Sequence, residues 1–340
     1  MAVACAAVVI PNWNGLQFLG DCLRSLAGQS HPAVVIVVDN ASTDGSREQV
    51  RIRFPEVALL ALPHNRGFAG AVNAGIARAL AEPVEYVALF NNDAVAEPDW
   101  LERLIATAEE HPEAGVVTSK LLLEDRSHID STGDFYSSWG WAYPRGRDEL
   151  DTGQYDGPEQ REVFCGSGGA SLFRARMLEE VGLFDEAYFA YLEDQDLGFR
   201  AQLMGWKARY EPGAVAYHRL MGTSATMANF GRYQAIRNCI YLYVKNMPAP
   251  LCWKYLPKFL LGLVLMAVND VRRRRFRAIA GAYLEAARNL PGLLQKRREV
   301  QASRRVDVGY IDSVLIHPLP PTQKTLLRVA RLLPWARTSP

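Results

Sequence analysis

Cysteine is scarce in this chain of 340 residues, which has five, at positions 5, 22, 165, 239 and 252. The number is odd, no two form a Cys-x-x-Cys pair, and no histidine lies at metal-ligand spacing from any of them. A disulfide framework and a zinc cluster are therefore not expected. A chain of this length can bury a substantial apolar core without such cross-links.

Two common phosphate-binding loops are also missing. No Gly-x-Gly-x-x-Gly fingerprint follows the first apolar run, which disfavours a nicotinamide-dependent dehydrogenase, and there is no Gly-x-x-x-x-Gly-Lys-[Ser/Thr] loop. The apolar first ten residues carry no basic segment and lead into Pro11, Asn12 and Trp13 rather than into a small-residue cleavage site. We interpret them as a buried strand and expect a cytoplasmic protein.

The whole chain is nearly neutral, with a formal net charge of +1, but its N-terminal and C-terminal parts carry large charges of opposite sign. From Lys245 onward there are 18 Lys and Arg against 5 Asp and Glu, a net charge of +13, so the first 244 residues carry −12. Such asymmetry indicates an anionic partner for the tail. Nucleic acid and the anionic lipid of a membrane surface are the two general candidates.

The first 90 residues alternate between short apolar runs and helical patterns. The apolar runs, which we predict to be strands, are residues 4–10, 34–39, 57–61 and 86–90. Leu16, Leu19 and Leu23 show the helical spacing between the first two runs. Runs rich in Val and Ile without polar alternation are typical of a mostly parallel sheet covered on both faces, and such sheets bind ligands at the carboxyl ends of their strands.

Polar segments follow each of these predicted strands, at residues 11–15, 39–45, 65–70 and 91–93. Any one of them could be ordinary turn chemistry, because tight turns use Asn, Asp and Gly. Four such segments at one edge of a sheet instead indicate a binding site.

Several motifs occur in the order and spacing of a known family: VVIPNWNG, VVDNASTDGS, NRGFAGAVNAGI, LFNNDAV, a long block ending in YLEDQDLGFR, and a later His218. Over about residues 5–225 the sequence resembles the family 2 glycosyltransferases with the GT-A fold, and within them the bacterial rhamnosyltransferase-like branch. The resemblance implies inverting transfer of a sugar from a nucleotide diphosphate to an acceptor hydroxyl. It also implies a GT-A nucleotide-sugar-binding domain over residues 1–228, followed by a smaller, basic and mostly helical region over residues 229–340.

The triplet Asn91, Asn92 and Asp93 resembles the metal-binding D-x-D element of the family, with Asn in the first position. A hard divalent cation held by a carboxylate can neutralise a diphosphate leaving group, so we assign Asp93 to Mg²⁺ or Mn²⁺ and the two asparagines to the donor. By resemblance His218 is a second metal ligand. A histidine after a strand can also be purely structural.

The second carboxylate cluster is Glu193, Asp194 and Asp196. Inverting transfer needs a base to take the proton of the acceptor hydroxyl. The resemblance favours Asp194 as this base, with Glu193 as the alternative. We expect Asp196 to pair with Arg200 four residues later on a helix.

The donor nucleotide is predicted to be a dTDP- or UDP-sugar. By resemblance, the Asp39 carboxylate accepts a hydrogen bond from N3 of uracil or thymine, and Trp13 lies against the base; a helix cap and a core tryptophan are the structural alternatives. The remaining donor contacts that we predict are Pro11, Asn14, Asn40, Asn65, Gly67, Asn73 and Gly169. Rhamnose from dTDP-rhamnose is the sugar to test first.

Two segments remain open. The aromatic stretch at residues 135–143 is either part of an acceptor site or a small core beneath a loop. In the tail, residues 259–268 give ten uninterrupted apolar positions, fewer than the about 20 that span a bilayer, and four arginines begin at Arg272. This pattern fits a peripheral helix at the inner face of the plasma membrane or a buried helix of a C-terminal domain.

Two functions compete at this point. One is a membrane-surface glycosyltransferase acting on a lipid-linked or polysaccharide acceptor. The other is a catalytically degenerate α/β module that binds nucleic acid or other anions through its basic tail. A degenerate enzyme is not expected to keep Asp93, Asp194 and His218 together, and the tail lacks the interleaved aromatic residues that stack on single-stranded bases. The enzyme is favoured, and no nucleic acid is expected.

Overall fold

The computed structural model describes residues 5–219, 229–272 and 276–318. Strands and helices alternate through its first part, as the apolar pattern predicts. In chain order they are β1 (Ala6–Asn12), α1 (Leu16–Ala27), β2 (Val34–Asp39), α2 (Ser46–Arg53), β3 (Ala58–Ala61), α3 (Gly67–Ala79), β4 (Tyr86–Phe90), β5 (Ala94–Ala96), α4 (Trp100–Glu110) and β6 (Ala114–Leu123).

An insertion of short strands follows, and then the sheet resumes. The elements are β7 (Ile129–Ser131), β8 (Asp134–Tyr136), β9 (Ala142–Pro144), β10 (Glu162–Val163), β11 (Ala170–Arg174), α5 (Ala175–Val181), α6 (Glu193–Leu203) and β12 (Lys207–His218). The C-terminal region is helical, as predicted: α7 (Phe230–Asn246), α8 (Ala249–Arg272), α9 (Phe276–Arg288), α10 (Leu290–Ala302) and α11 (Val308–Val314).

The central sheet has the strand order β10-β12-β6-β11-β4-β1-β2-β3. The four strands predicted from the apolar runs, β1 to β4, are parallel to one another. The carboxyl ends of these strands therefore meet at one edge of the sheet, as expected. Strand β11 runs antiparallel between β4 and β6, so its first residues lie at this same edge. The backbone N–H of Asn91 donates to the carbonyl of Gly169 at 2.9 Å.

Apolar side chains pack on both faces of the sheet. Along β1 they alternate: Val8 and Ile10 face a core shared with α1 and α4, while Ala7 and Val9 face a core shared with α3 and α6. Burial of both faces explains why these strands read as continuous apolar runs.

A third core joins the aromatic insertion to the C-terminal helices. Trp139 and Trp141 are buried in it together with Tyr243 and Phe259, whose rings stack at a centroid distance of 3.9 Å. At Gly140, with φ +77°, a Cβ would lie 2.4 Å from the Phe259 ring, so the chain can pass this point only without a side chain. For the two tryptophans, the core alternative is therefore correct.

Helix α8 is the one described helix that is long and apolar enough to cross a membrane, judged by length and composition. The helix extends beyond the ten uninterrupted apolar residues 259–268 in both directions, from Ala249 to Arg272. Its inner face is buried in the third core through Leu251, Tyr255 and Phe259.

Candidate active site

A cavity of about 740 Å³ lies at the carboxyl edge of the parallel strands. It is lined by the ends of β1, β4 and β12, the segment before β11, the start of α6 and part of the insertion. Most of the predicted site residues meet there: Pro11, Trp13, Asn40, Asn65, Gly67, Asn91, Asn92, Asp93, Gly169, Glu193, Asp194 and His218. The chain topology thus brings together residues that are up to 207 positions apart in the sequence.

Asp93 and His218 are in direct contact, since Oδ1 of Asp93 lies 3.1 Å from Nε2 of His218. The other ring nitrogen, Nδ1, lies 2.8 Å from Oδ2 of Asp130, a buried residue that the sequence reasoning missed. Burial alone would lower the pKa of His218, but hydrogen bonds to Asp130 and Asp93 raise it to about 9. Without a cation nearby, His218 is therefore positively charged at neutral pH.

The Asp93 and His218 pair fits a partial cation site. Among the residues that the structure describes, no group of three or more His, Cys, Asp or Glu side chains is placed to hold a metal ion, so these two would be the protein ligands of an incomplete shell. Mg²⁺ commonly takes its remaining ligands from water and substrate phosphates. Asp130 stands where carboxylates orient metal-binding histidines, on the far ring nitrogen.

The carboxylates of Asp194 and Glu193 differ in their surroundings. Asp194 accepts hydrogen bonds from the backbone N–H of Gly168 at 2.9 Å and of Gln195 at 2.8 Å. Burial raises the pKa of Asp194, and these two donors oppose that rise because they stabilise its charged form. Hydrogen bonding thus stabilises the charged form of Asp194, while burial keeps its pKa above the ordinary value.

Glu193 is 6% exposed, and its Oε2 has no hydrogen-bond partner among the described residues. Burial and the charge of Asp194 hold the pKa of Glu193 well above its ordinary value. Its surroundings therefore favour the protonated form of Glu193, which makes it less suited than Asp194 to act as a base.

A further carboxylate, Asp134, lines the cavity from the insertion and was not predicted. Its oxygens accept from Ser131 Oγ at 2.7 Å and from Gln195 Nε2 at 2.9 Å. Burial and the nearby charge of Asp194 raise the pKa of Asp134 to about 7. Arg147 of the same insertion also lines the cavity and pairs with Asp130 at 2.7 Å.

Three predicted donor contacts lie outside the cavity lining. The amide of Asn73 both donates to and accepts from the backbone of Phe184, so the structure gives Asn73 a scaffold position instead of the predicted donor contact. Asn14 accepts from the backbone N–H of Thr43 at 2.8 Å. The fully buried Asp39 receives two hydrogen bonds from Arg47, at 3.0 and 2.7 Å. Its predicted contact with the base stays a prediction that requires Arg47 to share the carboxylate.

The loop that follows β3 is shaped by Asn40 and Gly67. The Asn40 amide donates to Asn65 Oδ1 and to the Gly67 carbonyl and accepts from the backbone N–H of Arg66. Gly67 has φ +71°, and a Cβ there would lie 2.3 Å from the carbonyl oxygen of Phe189. The segment before α6 therefore approaches Gly67 too closely for any side chain, and Gly67 lines the cavity as predicted.

The expected pair between Asp196 and Arg200 is confirmed, with Oδ2 and Nε 2.9 Å apart. Lys245 and Asn246 of α7 also bind Asp196, at 2.9 and 2.8 Å. The charges of Lys245 and Arg200 hold the pKa of Asp196 below its ordinary value in spite of burial. Asp196 is therefore a structural anion and no candidate for the base.

Comparison with known proteins decides the family. The family model described as Glycosyl transferase family 2 matches residues 7–182. The chain belongs to glycosyl transferase family 2. An N-acetylglucosaminyl-diphospho-decaprenol L-rhamnosyltransferase of Mycobacterium tuberculosis is 30% identical, in an alignment that covers 80% of this chain and 96% of that protein. The rhamnosyltransferase-like resemblance is confirmed, and a family 2 glycosyltransferase replaces the alternative of a degenerate binding module.

Solved structures confirm the GT-A fold of this glycosyltransferase. Residues 1–349 of Staphylococcus aureus TarS in complex with UDP match with a TM-score of 0.55 at 17% identity, covering 88% of this chain and 90% of that one. The mannosyltransferase PcManGT of Pyrobaculum calidifontis, solved with GDP-Man and Mn²⁺, matches with a TM-score of 0.52 at 18% identity, covering 88% and 85%.

Proposed function

We propose that this glycosyltransferase transfers rhamnose, with inversion, from dTDP-rhamnose to a hydroxyl of a lipid-linked glycan. The observation that carries the proposal is the single cavity that joins the Asp93 and His218 pair to Asp194 and Glu193. Asp93 and His218 would hold a cation whose positive charge faces the departing diphosphate. Asp194 and Glu193 offer a carboxylate to the attacking hydroxyl.

The leaving-group end of the site is Asp93 with His218. These side chains would hold Mg²⁺ or Mn²⁺, which when bound supplies positive charge to the diphosphate as the glycosidic bond breaks. Asp130 keeps the His218 ring in place by accepting at Nδ1, so that Nε2 faces Asp93. Asn91 and Asn92 line the cavity beside this pair and present amide groups to the donor.

The acceptor end of the site is Asp194. The acceptor oxygen attacks the anomeric carbon on the side opposite the diphosphate, the new C–O bond forms as the old one breaks, and the hydroxyl proton passes to Asp194. The N–H groups of Gly168 and Gln195 stabilise the charged form of this carboxylate, which is the form that accepts the proton. Glu193 lines the same cavity, and its raised pKa makes it the weaker candidate for the base.

The donor and the acceptor are proposed from the Mycobacterium tuberculosis relative, whose name specifies an N-acetylglucosaminyl-diphospho-decaprenol acceptor and L-rhamnosyl transfer. The test is a panel of dTDP-rhamnose, UDP-N-acetylglucosamine, UDP-glucose and GDP-mannose, incubated with a synthetic N-acetylglucosaminyl-diphospho-polyprenol. We expect release of dTDP and a glycolipid product with inverted anomeric configuration by NMR. Turnover only with another donor would overturn the sugar assignment, and retention of configuration would overturn the mechanism.

We further propose that the enzyme works at the cytoplasmic face of the membrane, with the outer face of α8 on anionic lipid. This outer face consists of Trp253, Leu260, Val264, Val268 and Val271, all exposed and spaced so that they share one side of the helix. Arg272 follows directly, and three more arginines come next in the sequence. The opposite face of α8 is committed to the protein core, so lipid can reach only one side, which favours a peripheral position over a spanning one.

Vesicle binding tests this surface. Val264, 58% exposed on α8, is replaced by Glu, and the matched control replaces Ile52, 78% exposed on α2. We expect Val264→Glu to weaken cosedimentation with phosphatidylglycerol vesicles by about tenfold or more, because an apolar contact is lost and a charge is placed against lipid. Ile52→Glu should bind like the unmodified protein. Equal binding by the two variants would exclude this face.

A further inference from the structure

The backbone immediately before α6 adopts a conformation that ordinary residues avoid. Phe189, Tyr191 and Leu192 have φ angles of 62°, 70° and 67°. None of them is a glycine, and a bulky residue in the left-handed region persists only where surrounding contacts enforce it. Because α6 begins at Glu193, this segment, residues 188–192, determines how Glu193 and Asp194 enter the cavity.

One side chain of the C-terminal region holds this segment. Asn238 of α7 is fully buried, and its Nδ2 is within hydrogen-bond distance of the carbonyls of Tyr188 at 3.0 Å, Ala190 at 2.9 Å and Tyr191 at 2.6 Å. Its neighbour Arg237 donates to the Tyr188 carbonyl as well, at 2.8 Å. Three carbonyls of the irregular segment thus find their partners on α7, outside the part of the chain that the family model covers.

A second anchor lies two turns further along α7. Lys245, seven residues after Asn238 and hence on the same side of the helix, contacts Asp196 at 2.9 Å and Asp185 at 2.7 Å. Residues 188–196, here called the catalytic corner, are therefore held at both ends. Asn238 holds the segment before α6, and Lys245 holds the first turn of α6.

We infer that Asn238 and Lys245 are positioning residues for catalysis, which fix residues 188–192 and the start of α6 so that Asp194 meets the N–H of Gly168 and faces the acceptor. This inference rests on the proposed role of Asp194 as the base. Removing the amide of Asn238 leaves three carbonyls of the segment with fewer donors and frees it to leave the left-handed conformation. Asp194 then loses its alignment while the donor-binding residues on β1 and β4 keep theirs.

The experiment is a double-mutant cycle between Asn238→Ala and Asp194→Asn. We expect Asn238→Ala to lower kcat by about 10- to 100-fold with donor Kd changed less than about twofold, since misplacement of a catalytic group affects the reaction more than binding. In the Asp194→Asn background the same change should have almost no further effect, because the group it positions is already lost. The kcat of Asn238→Ser, which retains a shorter donor, should lie between the kcat of the unmodified enzyme and that of Asn238→Ala.

The matched control is Asp270→Ala, which removes the ion pair between the buried Asp270 and Arg232 of α7, a pair that makes no hydrogen bond to residues 188–192 in the described structure. It should lower the melting temperature without lowering kcat. Equal kcat losses in Asn238→Ala and Asp270→Ala, or multiplicative losses of Asn238→Ala and Asp194→Asn, would overturn the inference. If Asp194→Asn alone keeps normal turnover, the proposed base is wrong, which is a separate and recognisable result.

Amide hydrogen exchange of the unmodified enzyme gives a reading that depends on no variant. The N–H groups of Tyr188, Phe189 and Ala190, which donate to the carbonyls of Asp185, Glu186 and Tyr188, should exchange well below the rate of an exposed loop, because the segment that carries these hydrogen bonds is held by buried contacts. Exchange as fast as in an exposed loop would overturn the inference.

Discussion

Replacement of Asp194 by Asn tests the chemistry most directly. Asn retains the shape of the side chain but cannot take a proton at neutral pH. A general base typically contributes a factor of about 10² to 10⁴, so the activation barrier should rise by about 3 to 5 kcal/mol. Donor affinity should stay nearly unchanged, because the proton that Asp194 removes belongs to the acceptor.

The structure also limits how far destabilisation could imitate this loss. Both oxygens of Asp194 accept from backbone N–H groups, at 2.9 and 2.8 Å, whereas an Asn amide can satisfy only one of these donors. One lost hydrogen bond costs about 1 to 2 kcal/mol, and the removal of a buried charge beside Glu193 and Asp134 offsets part of it. The folded fraction should therefore remain high, and the loss of turnover reflects the chemical step.

The assay compares Asp194→Asn with Glu193→Gln by steady-state turnover, donor calorimetry and thermal unfolding. Because burial and the charge of Asp194 favour the protonated form of Glu193, Glu193→Gln should cost much less than Asp194→Asn. A dead Glu193→Gln beside an active Asp194→Asn would mean that the base is Glu193. Activity in both variants would make this cluster structural and refute the mechanism.

Three further predictions concern the donor end of the site. Excess chelator should abolish turnover, and Asp93→Ala should weaken metal-dependent nucleotide binding with the fold intact; full activity in chelator would refute the cation role. UDP and dTDP should bind better than CDP and GDP in calorimetry, because cytosine has no proton at N3 for Asp39, and equal CDP affinity would refute that role. Folding raises the pKa of His218 from an ordinary 6.5 to about 9. The charged ring therefore stabilises the metal-free protein by about 3 kcal/mol below pH 6.5, and this stabilisation is lost as the pH rises through 9. Denaturant unfolding at pH 6 and 9.5 should show that loss, and His218→Gln should reduce it; an unchanged difference would refute the assignment.

The sequence could predict which residues meet at the cavity edge of the sheet because that edge follows from local patterns. An apolar run followed by polar residues marks the carboxyl end of a strand, and parallel strands place those ends together. This rule alone predicts that Asn40, Asn91 and Asp93 lie at that edge. His218 lies 125 residues after Asp93, and only the family resemblance indicated that it belongs to the site. The same rule does not separate ligand contacts from scaffold: the amide of Asn73, predicted to contact the donor, is paired with the backbone of Phe184 outside the cavity lining.

The residues missed by the sequence reasoning belong to the insertion. Asp130 and Asp134 reach the cavity only because β7 pairs with β6 and β8 pairs with β9, and these short strands carry no period long enough to predict. The nearby tryptophans posed the opposite problem, since an aromatic residue looks alike in a sugar site and in a core. Their partner, Phe259 of α8, lies more than a hundred positions away and decides between the two.

The charge asymmetry has a partly internal explanation. The sequence assigned +13 to the tail and −12 to the remainder, which indicated an external anionic partner. In the structure, Lys245 and Lys296 of the tail pair with Asp185, and Lys245 also pairs with Asp196. These cations face the catalytic domain and not a membrane. Part of the opposed charge of the two regions therefore joins them to each other at the catalytic corner, and the lipid contact proposed for α8 depends more on its apolar face than the net charge suggests.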